Sequence, residues 1–519
     1  MLIDARRLTD DRIKAGICVI GSGMGGTSVT KKLVEAGLDV LLVEAGGDRD
    51  SRHGMPPVQH QMVGQDFGLP LTRVLEIGGS TNAWHGICAP LDPIDFAARD
   101  WIAESGWPIS YNDLEPYYTE ARYWLGVDAS DPGTDDLWSL DEPEAREGRQ
   151  QILTVKRFWT GRTPARMKNV ILRWAQEGQV RCLMHAIGLE LRVDEYGTVR
   201  SLLAGCGDRI IEIEARVFIV AAGALETPRL LLNSGRRSGR GIGAGAALTG
   251  RYLMDHPVGY FSQVVFHERQ AKPFGEVALA RGGFIIGLGL RAELQRRFQL
   301  PNHYVFIRPG TGPAKVPYER LKSFIGVRGA RDLSVRQLLS ILTSRYILQR
   351  IARERFSASV RTRYADIFVM TEQIPNPNSR VDLSDRKYDD FGYPVARVGW
   401  NMSSREWDHF GAYFSLVAEG LRKDKRIASL RLDDTEEWPQ LLSSAAHHLG
   451  TARMAAVPSR GVVDPDLRVF GCENLFVCDG SVFPTSGGTN PSLTICALGL
   501  RLGAYLARAF APLEAQASV

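Results

Sequence analysis

The chain has 519 residues, 44% hydrophobic and 24% charged, the composition of an ordinary globular protein of about two or three domains. Its 63 basic and 59 acidic residues leave a net charge of +4 at pH 7, too small an excess to point to nucleic acid. Seven cysteines with no CxxC pair and no zinc-type Cys/His spacing exclude a disulfide framework and a structural zinc site, so no metal is expected.

The opening residues 1–16 lack the apolar segment of a secretory signal, and no apolar run is read as approaching the ~20 residues of a membrane span. The expected location is the cytoplasm, with export alongside a signal-bearing partner as the alternative. Ile17-Cys18-Val19-Ile20 reads as a buried parallel strand. It runs into Gly21-Ser22-Gly23-Met24-Gly25-Gly26, a helical stretch follows through Val34, and a second strand, Leu38–Val43, ends at Glu44. This is a dinucleotide fingerprint in its strand–turn–helix context. Gly21 permits the tight turn, Gly23 lets the backbone approach a pyrophosphate, and Gly26 lets the helix pack on the strand. The helix N-terminus presents free N–H groups to the phosphates. Glu44 lies 44 − 21 = 23 residues after the first glycine, placed to accept from a ribose diol. The fingerprint alone does not separate NAD from FAD; its place at the start of the chain and the Glu-Ala-Gly-Gly that follows lean towards FAD.

Further along, Gly78-Gly79-Ser80-Thr81-Asn82-Ala83-Trp84 forms a small-residue loop, and residues 100–125 are rich in aromatic side chains that suit either sugar recognition or a core. The strand Val217–Val220 leads into Ala221-Ala222-Gly223-Ala224, a turn small enough for Ala222 and Gly223 to lie against a bound dinucleotide, with Thr227-Pro228 opening a helix. Residues 333–356 form an amphipathic basic segment that reads as a solvated surface helix or lid, or alternatively as a dock for a membrane surface or an electron-transfer partner. Near the end stand His447-His448-Leu449-Gly450-Thr451, then a strand Asn474–Val477 delivering Asp479-Gly480, whose carboxylate and turn are placed to hold the ribitol or pyrophosphate region. A loop Pro484–Asn490 leads to a helix opening at Pro491, read as an N1 proline.

Together the Gly-rich start, Gly78–Asn82, residues 223–235, 447–454 and 474–494 resemble the glucose–methanol–choline (GMC) family of flavoenzymes, most of all its bacterial sugar and polyol branch. The resemblance spans almost the whole chain. It implies an α/β fold, α+β overall: a Rossmann-like FAD-binding domain (1–100, 180–264 and 440–519) and a discontinuous cap and substrate-binding domain (101–179 and 265–439), built on a sheet with covering helices. It places Gly79, Ser80, Asn82 and Ala83 along the isoalloxazine, His85 near it, and the helix after Pro491 with its N-terminus toward the flavin pyrimidine. Some relatives attach FAD through a histidine in the first of these loops; Ala83 stands at that position here, so the FAD is expected to be non-covalent.

In the family a histidine heads His-x-x-Gly-Thr and a His or Asn precedes the last helix. These positions are His447 and Asn490, 490 − 447 = 43 residues apart. Oxidising an alcohol by hydride loss requires a base at the hydroxyl proton, a task suited to neutral imidazole, and a donor that holds the substrate oxygen. His447 is the expected base and Asn490 the orienting donor. His448, on the opposite face of an extended segment, is expected to be structural, and His256, in a family-like Asp-His-Pro segment, receives no chemistry. The implied substrate is a sugar, glycoside or polyol CH–OH, with molecular oxygen or another electron acceptor as oxidant. Competing readings are a dehydrogenase subunit passing electrons to a cytochrome or quinone, an oxidase of a non-sugar alcohol, a non-enzymatic flavoprotein and an NAD enzyme.

Overall fold

The strand Arg12–Ile20 begins five residues before the apolar run that betrays it, because only its last four residues are fully covered. In a computed structural model that describes residues 1–48, 60–64, 72–127, 148–161, 164–235, 241–270, 283–309, 362–432 and 442–517, this strand is central to a mostly parallel sheet. Val40–Val43 flanks it on one side, pairing Ile17 with Val40 through Ile20 with Val43. Arg209–Val220 flanks it on the other, pairing Val217 with Ile17 through Val220 with Ile20. The sheet continues through Arg181–Met184 to Leu2–Asp4 at one edge, and through Val199–Cys206 to Ile187–Val193 at the other. Leu475–Val477 joins parallel to the end of Arg209–Val220. The carboxyl ends Ile20, Val43, Val220 and Val477 thus emerge at one edge, where ligands of open parallel sheets bind.

A second, largely antiparallel sheet runs Ile427–Leu432, Pro257–Gln270, Thr362–Met370, Tyr304–Pro309, Gly283–Leu290, Leu153–Thr160 and Ile87–Cys88. Helix Ser404–Arg422 covers it, burying Phe410, Tyr413, Phe414, Val417 and Leu421 against Val264, Leu288, Val305 and Ile367. Three shorter strands, Arg380–Tyr388, Pro394–Trp400 and Gln61–Gly64, form a third sheet. The boundary expected at 264 falls inside Pro257–Gln270, so the crossing to the second sheet comes before Pro257. The cap segment is also divided. Helices Tyr111–Trp124 and Met167–Gln176 bury Leu114, Tyr118, Met167, Ile171 and Trp174 in the core of the nucleotide sheet, whereas Leu153–Thr160 enters the second sheet. The basic segment 333–356 lies outside the described residues.

The C-terminal helix Ser492–Ala517 corrects the expectation about apolar runs. Its stretch Ser492–Phe510, 19 residues of mean hydropathy 1.3, has the length and composition of a membrane-crossing helix. Its Leu493, Cys496, Ala497, Leu500 and Leu506 are instead buried in the nucleotide-domain core. It lies on helix Met24–Glu35 so closely that a Cβ at Gly499 would come 2.6 Å from the Ser28 Cβ, and one at Gly503 would come 2.7 Å from the Val29 carbonyl oxygen. Gly503→Leu is therefore expected to force the two helices apart and to lower stability by about 2 kcal/mol. A denaturant midpoint equal to that of the parent chain would show that this contact is not needed.

Candidate active site

The glycine loop at the carboxyl edge is shaped by three different demands. Gly21 has φ +103°, and a Cβ there would lie 2.3 Å from the Ala221 carbonyl oxygen. A Cβ at Gly26 would lie 2.0 Å from the Gly21 carbonyl oxygen, so the helix can turn in only without one. Gly25, which carries no role in the fingerprint, is fixed from far along the chain: its Cβ would lie 1.8 Å from the Cys478 carbonyl oxygen. Gly23 differs from these. It is the N-cap of helix Met24–Glu35 with no side-chain cap, and no described protein atom lies within 4 Å of the Cβ position. Gly223, at φ +83° on the adjacent strand end, is equally open. Uncapped N–H groups beneath open space form a cradle that a side chain would fill, and this fits a dinucleotide pyrophosphate.

Glu44 closes the other side of the loop. Its Oε2 accepts from the Ser22 N–H at 3.2 Å and the Ser22 hydroxyl at 2.5 Å, and its Oε1 accepts from the Gly46 N–H at 2.8 Å. Burial pushes its pKa up, opposed by these bonds. The Ser22 hydroxyl also accepts from the Gly78 N–H at 2.9 Å, which docks the loop Gly78–His85 beside the cradle. There a Cβ at Gly79 would lie 3.3 Å from the Gly23 Cα. Within that loop Asn82 spends its amide on the Ile77 carbonyl at 2.8 Å, and the Ser80 oxygen accepts from the Val74 N–H at 3.3 Å. Both side chains hold the loop's own shape, while Ala83 is exposed.

Asp479 lies on the far side of the cradle, bonded by three protein donors. Its Oδ2 accepts from the Gly223 N–H at 2.9 Å and the Thr227 hydroxyl at 2.6 Å, and its Oδ1 from the Ser481 N–H at 2.8 Å. The carboxylate thus caps helix Gly223–Gly235. That helix starts four residues before the expected Thr227-Pro228. Pro228 lacks an N–H for the Ala224 carbonyl, and the Thr451 hydroxyl supplies the missing donor at 2.7 Å. Gly450 and Gly480 serve close approach: their Cβ atoms would lie 2.1 Å from the Tyr252 oxygen and 2.6 Å from the His448 oxygen. Pro491 stands one place earlier than expected, its carbonyl accepting the Ile495 N–H at 2.9 Å as the helix begins at Ser492.

The histidines meet where the two domains join. His447 Nδ1 lies 3.2 Å from His256 Nδ1, and His256 Nε2 lies 3.0 Å from the Gly487 carbonyl oxygen. Asp255 underpins both: its Oδ1 accepts from the His256 N–H at 2.6 Å and the His447 N–H at 3.0 Å, and its Oδ2 from the Ser444 hydroxyl at 2.5 Å. Ligand atoms of Asp255, His256 and His447 lie within 4.8 Å of one another, the spacing of a metal site. The carboxylate oxygens are already committed to protein donors, so the group reads as a hydrogen-bond chain. Burial, aided by His256, His448 and His85, holds the His447 pKa well below its ordinary 6.5. Burial brings His256 down to about 4. His448 turns to the other side, where burial and then Arg73 and His60 bring it to about 3. Among the described residues no protein group bonds His447 Nε2 or the half-buried Asn490 amide, and His85 stands near enough to His447 to act on its charge. Sequence reasoning missed the part played by His256, for which only the adjoining Asp-His-Pro gave a signal.

Residues 375–499 match the family model described as GMC oxidoreductase. The chain is 26% identical to the 2-methyl-1,2-propanediol dehydrogenase of Mycolicibacterium austroafricanum, covering 98% of each protein. It is 26% identical to the paromamine 6'-oxidase of Streptomyces fradiae, covering 95% of this chain and 91% of that one. Its fold matches a variant of the Aspergillus oryzae formate oxidase with a TM-score of 0.57 at 17% identity, covering 98% of this chain and 100% of the other.

Asp479→Asn sets an amide N–H against one of the backbone or hydroxyl donors that now converge on the carboxylate. It is expected to lower stability by about 2 kcal/mol and to weaken nucleotide retention, measured as the unfolding midpoint and as the cofactor-to-protein absorbance ratio after gel filtration. An unchanged midpoint would remove Asp479 from the scaffold.

Proposed function

We propose that this chain, which belongs to the GMC oxidoreductases, removes the elements of hydride and proton from a sugar, glycoside or polyol, with His447 as base and Asn490 as oxygen donor. It is an FAD-dependent enzyme acting on CH–OH donors. The observation that carries the reading is the pairing of His447 Nε2, unbonded by the described protein, with an uncapped helix N-terminus and open glycine cradle.

When bound, FAD supplies the acceptor for the electron pair of the substrate C–H bond. Gly23 and the helix N-terminus at Met24 would hold its pyrophosphate, Gly223 would leave room for it, and Glu44 would hold the adenosine ribose. His447 takes the hydroxyl proton: the O–H bond breaks, an N–H bond forms at Nε2, and the carbon that loses hydride is left as a carbonyl. Its depressed pKa keeps the ring neutral, and therefore basic, at pH values below 6.5. Asn490 donates an amide N–H to the substrate oxygen and so fixes which carbon presents its C–H bond. The relatives reported above act on a diol and on an aminoglycoside, which supports a polyhydroxylated substrate; one is a dehydrogenase and one an oxidase, which leaves molecular oxygen and another carrier as the two acceptors. Ala83 offers no nucleophile for a covalent link, so FAD is held without one.

His447→Ala is expected to slow anaerobic flavin reduction, across a panel of sugars, glycosides and polyols, by roughly 10²- to 10⁴-fold while the flavin spectrum stays intact. Full-speed reduction by the variant would end the base assignment. In the parent enzyme the acid limb of kcat/KM should lie below pH 6.5, because a lowered pKa preserves the neutral base into more acidic solution. Acid precipitation should leave all flavin in the supernatant.

A further inference from the structure

The geometry points to His256 as a positioning residue that dictates which nitrogen of His447 carries a proton, and so makes His447 Nε2 the base. The inference rests on the reading of His447 as the base and adds the means by which its reactive nitrogen is kept bare.

Gly487 O can only accept, so the 3.0 Å contact requires His256 Nε2 to carry hydrogen. His256 is fully buried, and that burial keeps the ring neutral in ordinary buffers. A neutral imidazole protonated at Nε2 has a lone pair at Nδ1. The two Nδ1 atoms stand 3.2 Å apart, with the rings edge-on at an interplanar angle of 81°, so one proton lies between them and only His447 can supply it. His447 is thereby held in the Nδ1–H form with its lone pair on Nε2, the nitrogen that no described protein group hydrogen-bonds. When Nε2 takes the substrate proton, the resulting imidazolium keeps donating to His256, as a base-orienting partner should.

Each link is anchored. Gly487 has φ +61°, and a Cβ there would lie 2.4 Å from Leu91 Cδ2, so its carbonyl direction is set by a conformation that favours glycine. The preceding Ser486 hydroxyl accepts from the Gln373 N–H at 2.9 Å. Gln373 Oε1 in turn accepts from the Asp255 N–H at 2.8 Å and the Trp400 indole at 2.8 Å. The backbone N–H groups of both histidines are held by the one Asp255 oxygen. The chain Gly487–His256–His447 thus crosses from the loop before the last helix to the opposite wall of the site.

The experiment uses the FAD holoenzyme with ¹⁵N-labelled histidine, the His447 ring signals being identified by their loss in His447→Gln. In the parent protein Nδ1 of His447 should carry hydrogen and Nε2 should not; the reverse overturns the inference. His256→Phe, which removes the acceptor while keeping a ring, should move the proton toward Nε2 and lower the limiting rate of anaerobic flavin reduction by about 10²-fold, with KM changed far less. His256→Asn, whose carbonyl can still accept from His447, should recover at least about tenfold of that loss. A His256→Phe enzyme that reduces flavin at the parent rate refutes the positioning role even if it folds normally. If His256→Phe does not fold, the parent spectrum and the Asn variant decide alone. A fully active His447→Ala enzyme would fail the base reading, a result independent of the tautomer seen in the parent spectrum.

Discussion

A carboxylate buried at the end of a parallel sheet must be surrounded by donors, and Asp479 obtains them from the neighbouring strand end after Val220 and from its own turn. A buried, unpaired carboxylate would cost several kcal/mol, so the Gly223 N–H, the Thr227 hydroxyl and the Ser481 N–H are drawn to it. This contact joins residues 256 positions apart and brings the C-terminal strand under the glycine loop. Gly25 can then touch the Cys478 carbonyl, and Thr451 can reach the carbonyl that Pro228 orphans. The cofactor cradle and the segment bearing His447 are fixed by one set of hydrogen bonds.

Buried charged and polar groups of residues 92–99, 302 and 372 form a second network. Arg99 and Glu372 pair at 2.5 Å with almost no exposure. Glu372 also accepts from the Asn302 N–H at 2.7 Å, and the Asn302 amide donates to Asp92 and Asp95. Burial, with Asp92 and Glu372 as neighbours, raises Asp95 to about 7. The network backs the loop that ends at Asn490: the Thr485 hydroxyl accepts from the Trp107 indole and donates to the Asp95 carbonyl. Buried charge of this kind contributes little net stability, but it leaves the loop few alternative positions. That rigidity aims the Gly487 carbonyl at His256.

Burial also explains why so many imidazoles can gather without repelling one another. His256, His447 and His448 all lose the charged form as water is removed, so they interact as neutral donors and acceptors. A neutral pair has a choice of tautomer that a charged pair lacks, and in this site the choice is made by a backbone carbonyl.

The sequence by itself determined whatever depends on neighbours a few residues apart. Gly21, Gly23, Gly26 and Glu44 sit in a strand–turn–helix whose geometry is local, so their spacing announced a nucleotide fold, and the family-like motifs marked His447 and Asn490. The early residues of Arg12–Ile20 escaped notice because half-buried positions lack an unbroken apolar run. Pro228 misled about a helix start because the partners that permit the earlier one, the Asp479 carboxylate as acceptor and the Thr451 hydroxyl as donor, come from distant segments. The last helix did not stand out as a long apolar run, and its apolar faces are shared between the helices Met24–Glu35 and Tyr111–Trp124. Only the tertiary structure could decide that Gly25 answers to Cys478, that Asp479 caps a helix, and that His256 lies against His447 across 191 residues of chain. Such contacts are set by how buried polar groups find partners once the sheets have closed, and no short-range spacing encodes that search.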